Sequence, residues 1–199
     1  VGHSNSRVTA AMQATLDKPI YSCYAYANEE RAAYLQKLIE FAGPPFEKAF
    51  LLSAGTEATE AALKLMRMHG QKKKKRRLGI ICIEGNWHGR TLGAQMMSSN
   101  KAQKEWIGFQ DPNIHYIDFP YEWNLIDNIN KLRNKGIDIK TDICGVMLET
   151  FQGWEALFYS KDCVQEIRRI CDKNNILLAF DEMQSGFART GKKFGYEHY

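Results

Sequence analysis

Two rhythms of apolar residues alternate along the chain. The runs "LGIICIE" (78–84), "IHYIDF" (114–119), "ICGVMLE" (143–149) and "ILLAFDE" (176–182) have the length and apolar character of strands buried on both faces. "KAFLLS" (48–53) reads as a shorter strand. Helical spacing fills the intervals. Ser4–Leu16 carries Val8, Ala11, Met12 and Leu16 on one face, and Asn28–Phe41 repeats the pattern until "GPP" ends it. Gly55–His69 sets Ala58, Ala61, Ala62, Leu65 and Met68 along one face of a clear helix. Further helices are expected near Thr91–Ser98, Trp123–Asn134 and Val164–Asn174, and "YSCYAYAN" is an aromatic loop. Strands alternating with helices predict βαβ units: an α/β fold, a mostly parallel sheet covered by helices on both faces. Ligands of such sheets sit beyond the carboxyl ends of the strands, so the residues after each run are the ones to inspect.

Composition narrows the classes. At 199 residues, 44% hydrophobic and 25% charged, the chain can build one substantial core. The net charge of +4 is local: "KKKKRR" (72–77) holds six of the 27 basic residues, and the remainder is 21 basic against 23 acidic. That argues against a nucleic-acid face, and the run reads as a solvated loop after a helix. Five cysteines without a C-x-x-C spacing read as buried, reduced thiols in a cytoplasmic protein. No apolar run approaches a membrane span and no signal peptide is evident. The opening "VGHSNS" reads as mid-domain text, so the chain is expected to be part of a longer protein.

The strand ends carry the chemistry. "SAGTEATEA" follows "KAFLL" and turns straight into a helix, whose first amides and dipole suit an anion such as phosphate. Ordinary capping by small residues is the alternative. "GNWHGRT" offers Trp87 as a platform for a flat ring and Arg90 as a carboxylate fork, against the plainer readings of a surface Trp and a surface ion pair. His88 reads as a hydrogen-bonded structural histidine, with no metal-spaced partner. Glu149 and Asp181 end two buried strands, and Glu182 reads as structural, tied to helix ends or to Arg189. A flat, phosphorylated, nitrogen-bearing ring would use these tools together.

In order and spacing, "SAGTEATEAALKL", "GNWHGRTLGA", "LETFQG" and "FDEMQSGFARTGK" resemble the class III (ornithine/4-aminobutyrate-type) pyridoxal-phosphate aminotransferases. "VGHSN" and "NEERAAYLQKL" extend the resemblance over essentially the whole chain. It implies a fold-type I large domain with three α/β/α layers, pyridoxal 5'-phosphate as cofactor, no metal, an amino donor and a 2-oxo acid as substrates, and a homodimer. It implies that Gly55 and Thr56 hold the phosphate, Trp87 stacks on the ring, Asp181 pairs with the ring nitrogen and Gln184 reaches the phenolic oxygen. Arg90 takes the place of the substrate-carboxylate arginine, and Glu149 supports the site behind Gln184. The family places its active site at the dimer interface, and the loop with Tyr24 and Tyr26 is the candidate for the part that reaches the pocket or the interface, with local core as the equal alternative. Asp181 would keep the ring nitrogen protonated and so make the ring an electron sink.

Two departures stand out. Where the family usually reads Glu-Pro-x-Gln-Gly-Glu, this chain reads "ETFQGW": Thr150 replaces the proline and Trp154 a glutamate that gates glutamate as substrate. Pyruvate therefore stands beside 2-oxoglutarate as acceptor. The family's Schiff-base lysine falls after Tyr199, so residues 1–199 are expected to be a partial large domain, inactive alone, without the N-terminal segment, the lysine region and the small C-terminal domain. A racemase, decarboxylase or aminomutase would use the same cofactor set. A nucleotide-binding ATPase would need G-x-x-x-x-G-K-[ST], which is absent. A non-catalytic scaffold would not need Trp87, Asp181 and Gln184 together.

Overall fold

Four of the apolar runs pair into one parallel sheet in the computed structural model, which describes residues 2–16, 18, 26–121 and 124–199. The strands are β1 (Gly79–Ile83), β2 (Ile114–Ile117), β3 (Ile143–Glu149) and β6 (Leu177–Asp181), in the order β2-β1-β3-β6. Two short strands, β4 (Phe151–Gln152) and β5 (Leu157–Phe158), form a separate antiparallel hairpin. The helices are α1 (Ser6–Leu16), α2 (Glu29–Ala42), α3 (Gly55–Lys72), α4 (Leu92–Met97), α5 (Leu125–Asn134), α6 (Ile139–Asp142) and α7 (Lys161–Asn174).

The sheet is buried because successive side chains leave it on opposite faces and both faces are covered. Ile80, Cys82, Cys144 and Met147 pack with Leu63 and Met66 of α3 and Met97 of α4. Ile81, Ile83, Val146 and Leu148 pack on the other side with Leu125, Ile129 and Leu132 of α5 and Val164 and Ile167 of α7. This is the three-layer arrangement that the alternation predicts. Gly145 lets α3 approach β3, since a Cβ there would strike the Met66 side chain. Truncating the fully buried Met66 to alanine would cost about 2–5 kcal/mol.

The chain divides into two compact units, Val1–Phe50 and Leu51–Tyr199. In the first, the Asn28 side chain caps α2 by accepting from the Arg31 amide at 2.9 Å, and Gly43 (φ 69°) ends it. Lys18 and Glu30 form an exposed ion pair at 2.9 Å. Tyr26 is exposed; Tyr24 and Trp123 lie outside the described residues.

Two expectations need correction, and the buried face of α3 is not its apolar Leu65–Met68 stripe. The stripe of α3 facing the sheet is Thr59, Leu63, Met66 and Gly70, whereas Leu65 (58% exposed) and Met68 (53%) face outward. The helix is apolar on two sides, and its tight approach at Gly70, where a Cβ would come within 2.5 Å of the Cys144 Cβ, selects the side with the small residue. "KAFLLS" is not a strand: among the described residues nothing pairs with it, and Phe50 is 76% exposed. "KKKKRR" is not merely solvated. Lys75 Nζ donates to the carbonyls of Lys140 (2.5 Å) and Asn174 (2.6 Å), and Arg76 grips the buried Asp142 with two bonds of 2.6 Å. No helix among the described residues is long and apolar enough to cross a membrane.

Candidate active site

The carboxyl ends of β1, β3 and β6 open, with the N-terminus of α3, into a cavity of about 630 Å³. Gly55, Thr56, Trp87, Arg90, Glu149, Asp181 and Gln184 all line it. Seven of the nine residues singled out from sequence therefore meet in one place, while Tyr26 is exposed and not part of the lining. Tyr24 lies outside the described residues.

Strand pairing sets the acidic pair. Glu149 and Asp181 are the last register partners of β3 and β6, so both carboxylates end at the same rim. Glu149 Oε1 accepts from the Trp87 amide at 2.6 Å and Oε2 from the Gly153 amide at 3.1 Å. Burial pushes its carboxyl up from the ordinary value, opposed by these two amides. Glu149 thus ties the loop after β1 to the loop before β5.

Asp181 Oδ2 lies 2.8 Å from His88 Nδ1, and Oδ1 accepts from the Met183 amide at 3.1 Å. A chain of oriented amides sets the histidine tautomer. Gln152 Nε2 donates to the Glu84 carbonyl (2.7 Å) and to Asn86 Oδ1 (3.0 Å), so Asn86 turns its Nδ2 toward His88 Nε2 at 3.3 Å. With Nε2 accepting, the proton sits on Nδ1 and points at Asp181. His88 is fully buried, its amide bonded to Ser98 Oγ at 2.8 Å and its carbonyl to Thr59 Oγ1 at 2.8 Å.

At the other wall, α3 begins at Ala54, which has no side chain to cap the first amides. Glu57 folds back to the Ser53 amide at 2.9 Å and is not part of the cavity lining. Thr56 Oγ1 is 2.9 Å from Thr91 Oγ1, and Glu60 Oε1 gathers Thr91 Oγ1 (2.6 Å), the Gly93 amide (2.7 Å) and the Ala94 amide (3.0 Å). Gly55 makes room for Met183, whose sulfur would lie 2.7 Å from an added Cβ, and a Cβ on Gly153 would overlap Gln184 Oε1. The Arg90 guanidinium sits 5.4 Å from the centre of the Trp87 ring, a cation–π contact at the mouth.

A model of the Aminotransferase class-III family matches residues 1–199. The chain belongs to the class-III aminotransferases. That membership sets aside the nucleotide-binding alternative. Among relatives, the mitochondrial acetylornithine aminotransferase of Candida glabrata is 33% identical over 202 residues, covering 98% of this chain and 46% of the relative. An S-selective transaminase from Arthrobacter sp., solved with alanine bound, superposes with a TM-score of 0.84 at 25% identity, over 100% of this chain and 47% of that one. A thermostable (S)-enantioselective omega-transaminase from Thermomicrobium roseum gives a TM-score of 0.88 at 22% identity, over 100% and 48%, which shows the fold-type I architecture. The chain spans about half the length of the curated relatives it matches.

Within this class-III aminotransferase fold, His88 is the hydrogen-bonded histidine that the sequence suggested, but sequence reasoning did not foresee that its direct partner is Asp181, nor the place of Met183. Met183 lies against the α3 N-terminus, although nothing in the sequence sets it apart from a core methionine. The available signal for His88 was its place between Trp87 and Arg90, in a loop where both neighbours carry candidate roles.

Proposed function

We propose that these residues are part of the large domain of a pyridoxal-phosphate-dependent aminotransferase that moves an amino group from a carboxylate-bearing donor to a 2-oxo acid. The carrying observation is the buried Asp181–His88 pair facing the same cavity as the uncapped N-terminus of α3. These groups fit the cofactor: open helix amides suit a phosphate, an indole suits a flat ring, and an oriented carboxylate suits a ring nitrogen. When bound, pyridoxal phosphate supplies an electrophilic carbon and a ring that accepts electrons.

The chain's own residues then have distinct tasks. The Gly55 and Thr56 amides bind the phosphate, with the Thr56 hydroxyl held ready by Thr91. Trp87 covers one ring face, its backbone fixed by Glu149. Asp181 holds a proton on the ring nitrogen while His88 prevents the carboxylate from rotating. Gln184 serves the ring's phenolic oxygen, and Arg90 takes the donor's carboxylate at the mouth. Among the described residues, no lysine lines the cavity. Lys192 donates to the Glu197 carbonyl at 2.8 Å, away from the lining.

Trp154, 72% exposed on the β4–β5 hairpin, lines the cavity where the family gates glutamate with a carboxylate. With the alanine-bound Arthrobacter relative, this favours pyruvate over 2-oxoglutarate as acceptor. A homodimer and a cytoplasmic setting belong to the same reading; the four described cysteines are buried and free, which suits a reducing compartment.

The test is amino-group transfer by the full-length protein with added cofactor, followed by mass spectrometry of paired amino and 2-oxo acids. Transfer that disappears in Asp181→Ala supports the reading. Transfer that survives undiminished in that variant, or none with any carboxylated donor, refutes it.

A further inference from the structure

Thr150 stands where the family usually has proline, and it spends every polar group on one object. Its amide donates to the Asp181 carbonyl at 3.2 Å, extending the β3–β6 pairing one step beyond Glu149 and Asp181. Its hydroxyl donates to Glu182 Oε1 at 2.7 Å. Its carbonyl accepts from the Tyr199 hydroxyl at 2.7 Å. A proline could supply neither the amide nor the hydroxyl. Thr150 is 2% exposed, so water does not compete for these bonds.

Glu182 receives four donors in all. Besides Thr150, Oε1 takes the Tyr196 amide at 2.8 Å, and Oε2 takes Ser185 Oγ at 2.7 Å and the Gly195 amide at 2.8 Å. One carboxylate thus joins the end of β3, the turn after β6 and the 3-10 turn Gly195–His198. The fit is close: a Cβ on Gly195 would lie 2.7 Å from Thr150 Cγ2 and 2.9 Å from Ser185 Cβ. Met183 and Gln184, both lining the cavity, sit between Glu182 and Ser185, so the turn that carries them is held at both ends.

We propose that Thr150 is a positioning residue: through Glu182 and the Asp181 carbonyl it latches the turn that aims Asp181 and Gln184 into the cofactor cavity. The proposal rests on the cofactor reading above for its consequence, but the latch itself is testable without cofactor. Thr150→Val keeps the shape and the amide and removes the hydroxyl. Thr150→Ser keeps the hydroxyl. Glu182→Gln is a second way to weaken the latch if the valine variant folds poorly. Leu132→Ala, in the core under α5, is a control for general destabilisation.

The experiment is amide hydrogen exchange on the full-length protein without added cofactor, paired with a pyridoxal-phosphate titration followed by absorbance across pH. In Thr150→Val, the Gly195 and Tyr196 amides exchange about tenfold faster than in the parent, as expected for a loosened buried network. The cofactor Kd rises, and the pH at which the bound cofactor's absorbance changes shifts. Thr150→Ser restores all three, and Leu132→Ala leaves the pH of the absorbance change where it was. Exchange and cofactor spectrum unchanged in Thr150→Val, or a serine variant as impaired as the valine one, overturns the proposal. If the unaltered protein binds no cofactor, the functional reading fails instead, and the exchange data still decide whether the latch exists.

Discussion

His88 Nδ1 stands 2.8 Å from Asp181 Oδ2, joining the loop after β1 to the tip of β6 across 93 residues of sequence. Both side chains are buried, so His88 Nδ1 and Asp181 Oδ2 satisfy one another where water does not reach. The relay through Asn86 and Gln152 behind His88 leaves the ring a single productive tautomer. The pair explains how a carboxylate is kept aimed at a rim where no Lys or Arg among the described residues pairs with it.

Replacing His88 with asparagine should therefore weaken activity without abolishing it. Loss of an orienting partner of this kind typically costs about 10–100-fold. The expected split is a fall in kcat with a smaller change in KM for the amino donor, because in this reading His88 acts through Asp181. Steady-state kinetics on the purified variant would show it. A variant with parental kcat would mean that Asp181 needs no such support.

Arg90 gives a specificity prediction. Its guanidinium lines the cavity beside Trp87, and no carboxylate among the described residues pairs with it. Arg90→Gln should lower kcat/KM for carboxylated donors by about one to three orders of magnitude while sparing uncharged amines. Parallel assays on an amino acid and on its decarboxylated counterpart measure the difference. Equal losses on both would place the carboxylate elsewhere.

Asp142 gives a stability prediction remote from the site. Two bonds from Arg76 hold its carboxyl down to about 2, well below the ordinary 3.8. A carboxyl depressed in the folded state contributes stability that is full above 3.8 and is lost as pH falls toward about 2. Asp142→Asn should cost about 1–3 kcal/mol at neutral pH, the range for disturbing a buried hydrogen-bonded group. The gap to the parent should close on acidification through that window. Thermal melts at several pH values would test both halves, and a gap that stays constant down to the lower limit would contradict the assignment.

Much of this was legible in the chain. "ICGVMLE" matches β3 end to end, because a strand buried on both faces has no polar interruptions to blur it. Trp87 and Asp181 could be singled out because strand ends are few and the residues after them unusual. Gly55 stood out only as part of a small-residue turn opening a helix, since the run before it is not a strand. The face of α3 was not legible, since Leu65 and Met68 are as apolar as Leu63 and Met66, and only the tight packing at Gly70 chooses between them. Nor was the pinning of Lys75 and Arg76, whose partners Lys140, Asn174 and Asp142 lie more than sixty residues away. "KAFLLS" shows the limit of reading runs alone: an apolar stretch becomes a strand only when a neighbouring edge accepts its backbone.

The central claim is that the α3 N-terminus and Asp181 together form one cofactor site. A crystal structure of the full-length protein with pyridoxal phosphate tests it most directly. The account predicts the phosphate against the Gly55 and Thr56 amides, the ring beside Trp87, and its nitrogen within hydrogen-bonding distance of the Asp181 carboxylate. A cofactor bound elsewhere, or one whose ring nitrogen faces away from Asp181, would contradict it.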